Sequence, residues 1–201
     1  DRLVSRGLGD VYKRQVITSV NRDDLNDGGS LFFAETIREV KKFNNGCDVE
    51  VLIPDFKGDR IAINNIIEAS PEVINHNLET VPRLQREIRT SASYGRSLSL
   101  LHYVKSQGFE GKTKTGLIVG MGESKEEVIS VLKDISKLDV DIVTIGQYLR
   151  PTAKHRPIDR YAPEEEFENY KLIGESFGIS HVESGPLVRS SYHAKDSFAS
   201  V

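Results

Sequence analysis

Five clusters of polar residues and glycines hold the side chains that could do chemistry in this sequence. Each cluster follows a short β-branched segment, and the clusters are residues 21–29, 54–58, 75–80, 120–123 and 146–152. Amide and carboxylate side chains hydrogen-bond polar ligands, and glycine lets a ligand approach the backbone closely. Loops in water are polar too, so a single cluster would also fit plain solvent exposure. Five such clusters together favour a binding site for a polar ligand.

Asn77 and Glu79 are two positions apart at the end of a predicted strand, so their side chains point to the same face. This spacing suits two groups that contact one ligand. The alternative is that Thr80 caps the next helix while Glu79 favours the positive end of that helix. His76 points to the opposite face, where we expect a hydrogen-bonded structural residue.

The sequence itself carries no metal-binding pattern. Cys47 is the single cysteine, so a disulfide framework is excluded, and an iron–sulfur cluster normally needs three or four thiolates. The five histidines form no i, i+4 pair of the kind found in zinc sites. We therefore expect Cys47 to be inert, and we expect the acidic run at 164–166 to be the first turn of a helix.

The composition narrows the classes of function. The chain has 201 residues, 38% of them hydrophobic, and a net charge of −3. That charge gives no basic footprint for nucleic acid or for an anionic membrane surface. No apolar run is long enough for a membrane span, and no stretch reads as a signal peptide. The expected compartment is a reducing cytoplasm, or the mitochondrion in a eukaryote.

The five clusters need a scaffold that brings the ends of several strands together. Predicted strands at 16–20, 49–53, 73–75, 115–120 and 142–148 alternate with amphipathic helices, which indicates a parallel sheet with right-handed crossovers. There are too few units for a closed eight-stranded barrel, and no dinucleotide-type glycine fingerprint favours a doubly wound sheet. We predict an α/β fold, a partial (β/α) barrel with its site at the carboxyl ends of the strands.

Local signals place two of the helices. Ser124 and Glu127 form a capping box before an apolar stripe. Pro163 precedes a helix that should bury Tyr170 and Phe177 on one face.

The chain divides into three predicted segments. Residues 1–15 show neither a helical nor a strand period, and we expect a non-native leader such as a sequencing artefact. A natural flexible terminus is the alternative. The partial barrel then covers 16–152, and a carboxy-terminal extension covers 153–201.

Five motifs carry a family resemblance. GLIVGMGE at 116–123 is similar to the GxIxGxxE pattern of radical S-adenosylmethionine (SAM) enzymes. The other four resemble lipoyl synthases in order and spacing: VITSVNRDDLNDGG at 16–29, NHNLETVPRL at 75–84, TIGQYLRPT at 144–152 and GPLVRSSYHA at 185–194. The resemblance spans 16–194 and implies a radical SAM barrel whose first βα unit is missing.

The resemblance implies an activity in lipoate biosynthesis. Lipoyl synthases are sulfurtransferases that insert two sulfur atoms at C6 and C8 of an octanoyl chain held on a lipoyl carrier domain. They use SAM, a [4Fe–4S] cluster that cleaves SAM to a 5′-deoxyadenosyl radical, and an auxiliary [4Fe–4S] cluster that donates the sulfur. The implied partners are octanoylated carrier domains of 2-oxoacid dehydrogenases and the glycine cleavage H protein, with flavodoxin or ferredoxin as the electron donor.

The resemblance also implies roles for individual residues. Asp27, Gly28 and Gly29 would receive the methionyl amino group of SAM, and a plain loop before a helix is the alternative. The other implied SAM-contacting residues are Asn77 and Glu79 at the ribose or methionyl part, Gly116, Ile118, Gly120 and Glu123 at the adenine, and Gln147 and Tyr148 at the nucleotide. An ordinary buried hydrogen-bond network is the alternative for Gln147 and Tyr148. No side chain is expected to be catalytic by itself, because the radical comes from SAM.

The tail motif Arg189-Ser190-Ser191-Tyr192 would contact the auxiliary cluster. One serine would be an oxygen ligand to an iron atom; Ser191 is the expected ligand and Ser190 the alternative. Arg189 would supply positive charge next to the anionic cluster. Without the resemblance, two consecutive serines predict a solvated turn.

The sequence departs from the family in lacking both of its cysteine motifs, CxxxCxxC and CxxxxCxxxxxC. We therefore expect this chain to bind neither cluster and to be inactive by itself. Three alternative hypotheses remain. They are another radical SAM enzyme such as a methylthiotransferase, a catalytically inactive module that binds lipoyl carrier domains, and an aldolase-like barrel with Lys114 as its Schiff-base lysine.

Overall fold

The computed structural model describes residues 14–191; residues 1–13 of the expected leader and residues 192–201, including Tyr192, lie outside that range. The strands are β1 (Arg14–Thr18), β2 (Asp48–Leu52), β3 (Val73–Asn75), β4 (Lys112–Val119), β5 (Ile142–Gln147) and β6 (His181–Ser184). The helices are α1 (Ser30–Phe43), α2 (Arg60–Glu68), α3 (Gln85–Ile88), α4 (Tyr94–Ser106), α5 (Lys125–Ser136) and α6 (Glu164–Ser176), with 3₁₀ turns at Phe56–Gly58 and Pro82–Leu84.

The described strands form one sheet in the order β1-β2-β3-β4-β5-β6, and every neighbouring pair is parallel. The chain therefore advances by one strand at each crossover, as it does in a (β/α) barrel. β1 and β6 are the two edges, so this sheet is open. The predicted α/β partial barrel is confirmed, and the carboxyl ends of all six strands lie at one edge of the sheet.

Three strands differ from the sequence-based expectation, among them β4, which begins at Lys112 and not at residue 115. β1 begins at Arg14, so it includes two residues assigned to the leader, and Arg14 pairs with Asp48 in the register. β6 has no counterpart among the predicted strands, because Val182 is its one apolar residue. Pairing with β5 and contact with α6 supply the stabilisation that the sequence pattern does not reveal.

Two groups of apolar side chains pack between the sheet and its helices. One joins β2 and β3 to α1, α2 and α4, with Ile37 and Ile66 at its centre. The other joins β4, β5 and β6 to α5 and α6, with Leu132 and Tyr170 fully buried. Because side chains alternate along a strand, the opposite face of the sheet carries a different set of residues, among them Glu50, Lys114, Gly116 and Thr144.

The local helix signals are confirmed in part. Ser124 Oγ accepts a hydrogen bond from the Glu127 N–H, and the Glu127 carboxylate accepts one from the Ser124 N–H, which completes the capping box of α5. α6 begins directly after Pro163. The expected burial of Phe177 is wrong, because α6 ends at Ser176 and Phe177 is 37% exposed.

A membrane-spanning helix is not found within residues 14–191, where every helix is too short or too polar to cross a bilayer.

Candidate functional site

Asn77 and Glu79 lie next to each other just beyond β3. Asn77 Nδ2 donates a hydrogen bond to Glu79 Oε1 over 3.1 Å, and Asn77 is 8% exposed. Glu79 has a backbone φ of 65°. Its N–H donates a hydrogen bond to the Gly116 carbonyl of β4, and its carbonyl accepts one from the Ile118 N–H of the same strand. The end of β3 is therefore fixed against β4, and the amide and carboxylate share one face, as predicted.

The alternative for this segment was a helix cap, and the structure does not show it. Thr80 Oγ1 is buried without a hydrogen-bond partner in the described part of the chain. The residue that precedes the 3₁₀ turn is Val81, which has no capping side chain. His76 does have the predicted structural role, because its ring is buried and contacts the Ile53 carbonyl and Ser97 Oγ.

Gly116 gives Asn77 the space that it occupies. A Cβ atom at Gly116 would lie 2.8 Å from Asn77 Oδ1 and 2.9 Å from Thr144 Oγ1. Asn77 Oδ1 is buried and has no hydrogen-bond partner among the described residues. A buried acceptor of this kind costs free energy unless another group satisfies it. The site thus has an unsatisfied acceptor, Asn77 Oδ1, beside the backbone of Gly116, which carries no side chain.

Glu123 supports the glycine turn that ends β4. Its carboxylate accepts hydrogen bonds from the backbone N–H groups of Gly120 and Met121, at 2.5 and 2.9 Å. Gly120 has φ +106°, which favours glycine, and a Cβ there would collide with Gln147 Nε2. Glu123 is 5% exposed and Arg160 lies 3.7 Å from it. In this arrangement Glu123 shapes the backbone at the strand end, and its side chain is occupied.

Gln147 and Tyr148 make hydrogen bonds to the loop that follows β5. The Gln147 amide donates to the Tyr148 and Arg160 carbonyls and accepts from the Ala162 N–H. Tyr148 Oη donates to the Arg156 carbonyl over 2.9 Å. This geometry matches the buried-network interpretation for both side chains, and the loop that they hold lies at the same edge of the sheet as Gly120.

Glu166 and the two side chains that donate to it fix the far end of the loop that follows β5. Arg160 donates two hydrogen bonds to Glu166, at 2.9 and 2.6 Å, and Tyr170 Oη donates a third. Burial alone would raise the pKa of Glu166, but these hydrogen bonds outweigh it and lower the pKa to about 2. Sequence reasoning missed Arg160. The available signal was Glu166, a carboxylate in the acidic run at 164–166 that could have been expected to need a cationic partner.

Asp27 caps α1. Its carboxylate accepts hydrogen bonds from the backbone N–H groups of Leu31 and Gly29 and from the Ser30 hydroxyl. The Leu31 N–H in particular lowers the pKa of Asp27. Gly28 and Gly29 have φ values of 62° and 85°. These contacts match the alternative, a loop before a helix, and they leave the backbone of the two glycines at the rim.

A cavity of about 380 Å³ opens beside this loop. Its wall includes Asn26, Gly28, Asp55, Phe56 and Arg89. The three consecutive residues of the Phe56–Gly58 turn all have positive φ, and the Phe56 ring packs against Gly28. The cavity therefore lies between the ends of β1 and β2, next to the rim that carries Asn77.

The tail returns to this rim. Ser190 Oγ accepts a hydrogen bond of 2.9 Å from Asn77 Nδ2, and the carbonyl of Ser190 accepts one from Lys114 Nζ. The Val188 carbonyl lies so close to Gly146 that a Cβ there would collide with it. Ser191 and Arg189 are exposed. The structure thus brings Asn77, Glu79, Gly116 and Ser190 together, and it places Gly120 and Gln147 along the same edge.

Lys114 is not placed as a Schiff-base nucleophile. It lies inside β4, its side chain is 1% exposed, and its Nζ is 2.9 Å from Glu50 Oε1. A lysine that attacks a carbonyl needs an amine that faces a ligand, whereas both contacts of Lys114 are to hydrogen-bond acceptors of the protein. Sequence reasoning did not anticipate the buried Glu50–Lys114 pair. Glu50, a charged residue inside the otherwise apolar strand predicted at 49–53, was the available signal for it.

The described residues do not fit an iron–sulfur cluster. Cys47, the single cysteine of the chain, is buried, and that burial raises the pKa of its thiol. No group of three or more His, Cys, Asp and Glu side chains that could hold a metal ion is found between residues 14 and 191. Cys47 has the environment of an inert thiol.

Comparison with known proteins adds a family to this geometry. Residues 7–135 match the family model described as the radical SAM superfamily. The chain is 55% identical to the lipoyl synthase of Rubrobacter xylanophilus over 184 residues, which are 92% of this chain and 57% of that protein. It is 53% identical to the mitochondrial lipoyl synthase of Nematostella vectensis, with 91% of this chain and 62% of that protein covered.

A solved structure shares the fold at low sequence identity. The crystal structure of Streptococcus suis SuiB bound to S-adenosylmethionine matches 82% of this chain and 36% of its own chain, with a TM-score of 0.57 and 13% identity. The chain described here spans about three fifths of the length of the two lipoyl synthases that it matches.

Proposed function

Since this chain belongs to the radical SAM superfamily and matches lipoyl synthases over nine tenths of its length, we propose that it is the SAM-binding part of a lipoyl synthase. The complete enzyme would insert two sulfur atoms at C6 and C8 of an octanoyl chain. Superfamily membership implies SAM and [4Fe–4S] clusters as cofactors. The observation that carries the proposal is the contact between Asn77, at the predicted SAM rim, and Ser190, in the predicted auxiliary-cluster motif.

The residues at the rim fit SAM. The unsatisfied Asn77 Oδ1 can accept from a ribose hydroxyl or an ammonium group, and the Glu79 carboxylate beside it suits the same donors. The glycine turn after β4 is held by Glu123, and its backbone is the candidate contact for a flat ring. Bound SAM, cleaved by one electron from a [4Fe–4S] cluster to methionine and a carbon-centred radical, would supply the reagent that is needed because no acid–base residue removes hydrogen from an unactivated C–H bond.

The chain's own residues would bind SAM and shield it from water. Gln147, Tyr148 and Arg160 hold the loop after β5 against the glycine turn, so that the nucleotide side of the rim is rigid. The backbone of Gly28 and Gly29 remains the candidate contact for the methionyl end, since Asp27 is committed to the cap of α1. With SAM and its substrate bound, these hydrogen bonds would help to keep water and stray hydrogen donors out.

Ser191 is the better candidate for the oxygen ligand to iron. Ser190 Oγ is already in contact with Asn77, whereas Ser191, the next residue, is exposed. Arg189 is exposed next to it and can supply positive charge. The clusters themselves have no thiolate set within residues 14–191, so no step of the reaction is assigned to them.

The proposed substrate is an octanoyl group carried by a protein. Lipoyl carrier domains of 2-oxoacid dehydrogenases and the glycine cleavage H protein are the proposed carriers, and flavodoxin or ferredoxin the proposed electron donor. The relatives include bacterial enzymes and a mitochondrial one, which suits a cytoplasmic or mitochondrial location.

A chimera tests the function. Residues 16–194 of this chain would replace the matching part of the Rubrobacter xylanophilus lipoyl synthase, which supplies the remaining segments of the enzyme. The purified chimera would be given an octanoylated carrier domain, SAM and a reductant, and mass spectrometry would follow the carrier. The addition of two sulfur atoms is the expected result. A folded chimera that cleaves SAM but leaves the carrier unchanged would contradict the proposal and favour another radical SAM reaction.

A further inference from the structure

Lys114 and Glu50 form a buried ion pair on the face of the sheet that is turned away from the helices. Their side chains are 1% and 0% exposed, and Lys114 Nζ lies 2.9 Å from Glu50 Oε1. Asn75 Nδ2 lies 3.5 Å from the same oxygen, and Arg14 binds the other one. Replacement of such a buried pair by well-packed apolar residues is often neutral or stabilising, which leaves room for a role beyond stability.

The same ammonium group reaches the tail. We define the tail segment as residues 185–191. Lys114 Nζ donates a hydrogen bond to the Ser190 carbonyl, 76 positions further along the chain, and Asn77 Nδ2 donates to Ser190 Oγ. Ser190 is therefore held at its backbone by Lys114 and at its side chain by Asn77. Upstream, Val188 is buried and the Pro186 carbonyl accepts from the Gln147 N–H at 3.3 Å.

The two tethers are not equivalent. The bond from Asn77 depends on the serine side chain, and Asn77 also faces the candidate SAM position. The bond from Lys114 is made to a backbone carbonyl by a charged donor, so it is stronger than a bond between neutral groups and independent of the side chain at 190. Glu50 fixes the direction of that donor, because it binds Nζ from the β2 side.

We propose that Lys114 is a positioning residue that anchors the tail segment to the rim, oriented by Glu50, so that Ser191, which follows the anchored Ser190, is held in place. The anchoring follows from the contacts of Lys114 alone. The use of Ser191 as an iron ligand rests on the proposed function.

The test compares tail release with global unfolding in the 201-residue chain. Lys114→Met alone would leave the buried Glu50 carboxylate paired with Arg14 over 2.9 Å, and a second variant, the neutral pair Glu50→Gln with Lys114→Met, removes the charge at both positions. Limited trypsin digestion would measure cleavage of the Arg189–Ser190 bond, and hydrogen–deuterium exchange would compare the tail segment with β2 and β4. Cleavage under native conditions reports local opening when the fold itself stays closed.

The neutral pair should cleave after Arg189 about ten times faster than the parent chain, a factor typical of one lost charged hydrogen bond. Ser190→Ala, which keeps the Lys114 contact, should accelerate cleavage less. Lys133→Met, the same substitution at an exposed position of α5, should leave the rate unchanged. An unchanged rate in the neutral pair overturns the proposal. So does faster exchange in the tail that is matched in β2 and β4, since Lys114 would then be a general stabilising residue.

These readouts do not involve SAM, iron or sulfur transfer. A chimera that fails to modify its carrier therefore leaves the anchoring result standing, and an unanchored tail leaves the SAM-binding assignment standing.

Discussion

Asn77 donates a hydrogen bond to Ser190 over 2.9 Å although 113 positions separate the two residues. The same amide nitrogen contacts Glu79, and the amide oxygen is buried without a partner among the described residues. One side chain thus joins the end of β3, the tail motif and the place where a polar ligand would be satisfied. This junction makes Asn77 the first residue to test.

Asn77→Ala should weaken SAM binding by about tenfold, because one or two hydrogen bonds to the ligand are worth roughly 1–2 kcal/mol in total. Equilibrium dialysis with labelled SAM measures the dissociation constant of the 201-residue chain. Asn45→Ala, at an exposed position before β2, is the matched control. Equal affinities in the two variants would remove Asn77 from the site.

The sequence could predict those features that depend on neighbouring residues. The capping box needs Ser124 and Glu127 three positions apart, and the structure has it as predicted. Asn77 and Glu79 do lie side by side as predicted, but both follow β3 and Glu79 has φ 65°, so its bonds to β4 and not strand alternation alone hold it there. β4 and β5 were predicted because their apolar runs are long, whereas β6 has one apolar residue and exists through its pairing with β5.

Contacts that depend on the register of the sheet could not be predicted from neighbouring residues in the sequence. That Glu50 needs a buried partner follows from its position in a predicted strand, but Lys114 was expected to precede a strand, and the choice of Lys114 depends on how β2, β3 and β4 align. Gln147 could have faced a nucleotide or the protein, and the path of the loop after β5 directs its amide to Arg160 and Ala162. Sequence reasoning left both interpretations open for that reason.

Gly120→Ala should destabilise the chain by about 2 kcal/mol, because φ of +106° is strained for alanine and its Cβ would collide with Gln147. For a chain of this size, that corresponds to a fall in Tm of about 4–8 °C. Gly95→Ala in α4 has open space around the new methyl group and should not lower the Tm. Calorimetry of the three proteins checks this, and a Gly120→Ala variant as stable as the parent would show that the turn adapts.

His76 should make stability depend on pH. Burial lowers the pKa of His76 from 6.5 to about 4, and the Ile53 carbonyl, which can only accept, places the ring proton on Nδ1. The unfolded chain therefore binds a proton that the folded chain refuses between pH 6.5 and 4. Stability from this group is complete above pH 6.5 and is lost as the pH falls towards 4, by roughly 3 kcal/mol.

Urea unfolding at a series of pH values measures that loss. In His76→Asn, whose amide can still donate to Ile53, the fall between pH 6.5 and 4 should be smaller by most of this amount. His102→Asn, at an exposed position of α4, should keep the full fall. A parent chain whose stability is flat across this window would show that the ring is protonated in the fold.

The chain itself should stay colourless after treatment with ferrous iron and sulfide. Cys47 is its one thiol, and that thiol is buried with a raised pKa. A [4Fe–4S] cluster held by protein absorbs near 400 nm and normally needs three or four thiolates. The lipoyl synthase of Rubrobacter xylanophilus, treated in parallel, is the positive control. A brown sample with a stable four-iron signal from the 201-residue chain would contradict the assignment of the cluster ligands to other segments.

Ser191→Cys in the chimera should keep the auxiliary cluster but slow sulfur insertion by tenfold or more. Thiolate is the more typical ligand for iron in such clusters, so a cysteine at 191 should bind iron at least as well as the serine hydroxyl does. Absorbance near 400 nm measures cluster content, and mass spectrometry of the octanoylated carrier measures sulfur insertion. The ratio of the two separates a lost cluster from a slower reaction.

Ser190→Cys is the matched control for that variant, because Ser190 Oγ contacts Asn77 and its carbonyl contacts Lys114. If Ser191 is the ligand, the change at 190 should weaken the tail contact and lower the rate of sulfur insertion less than the change at 191. If the change at 190 lowers the rate of sulfur insertion more than the change at 191, Ser190 is the iron ligand. The Asn77–Ser190 contact would then have to break when the cluster is present. Undiminished turnover in both variants would remove the serine pair from the reaction.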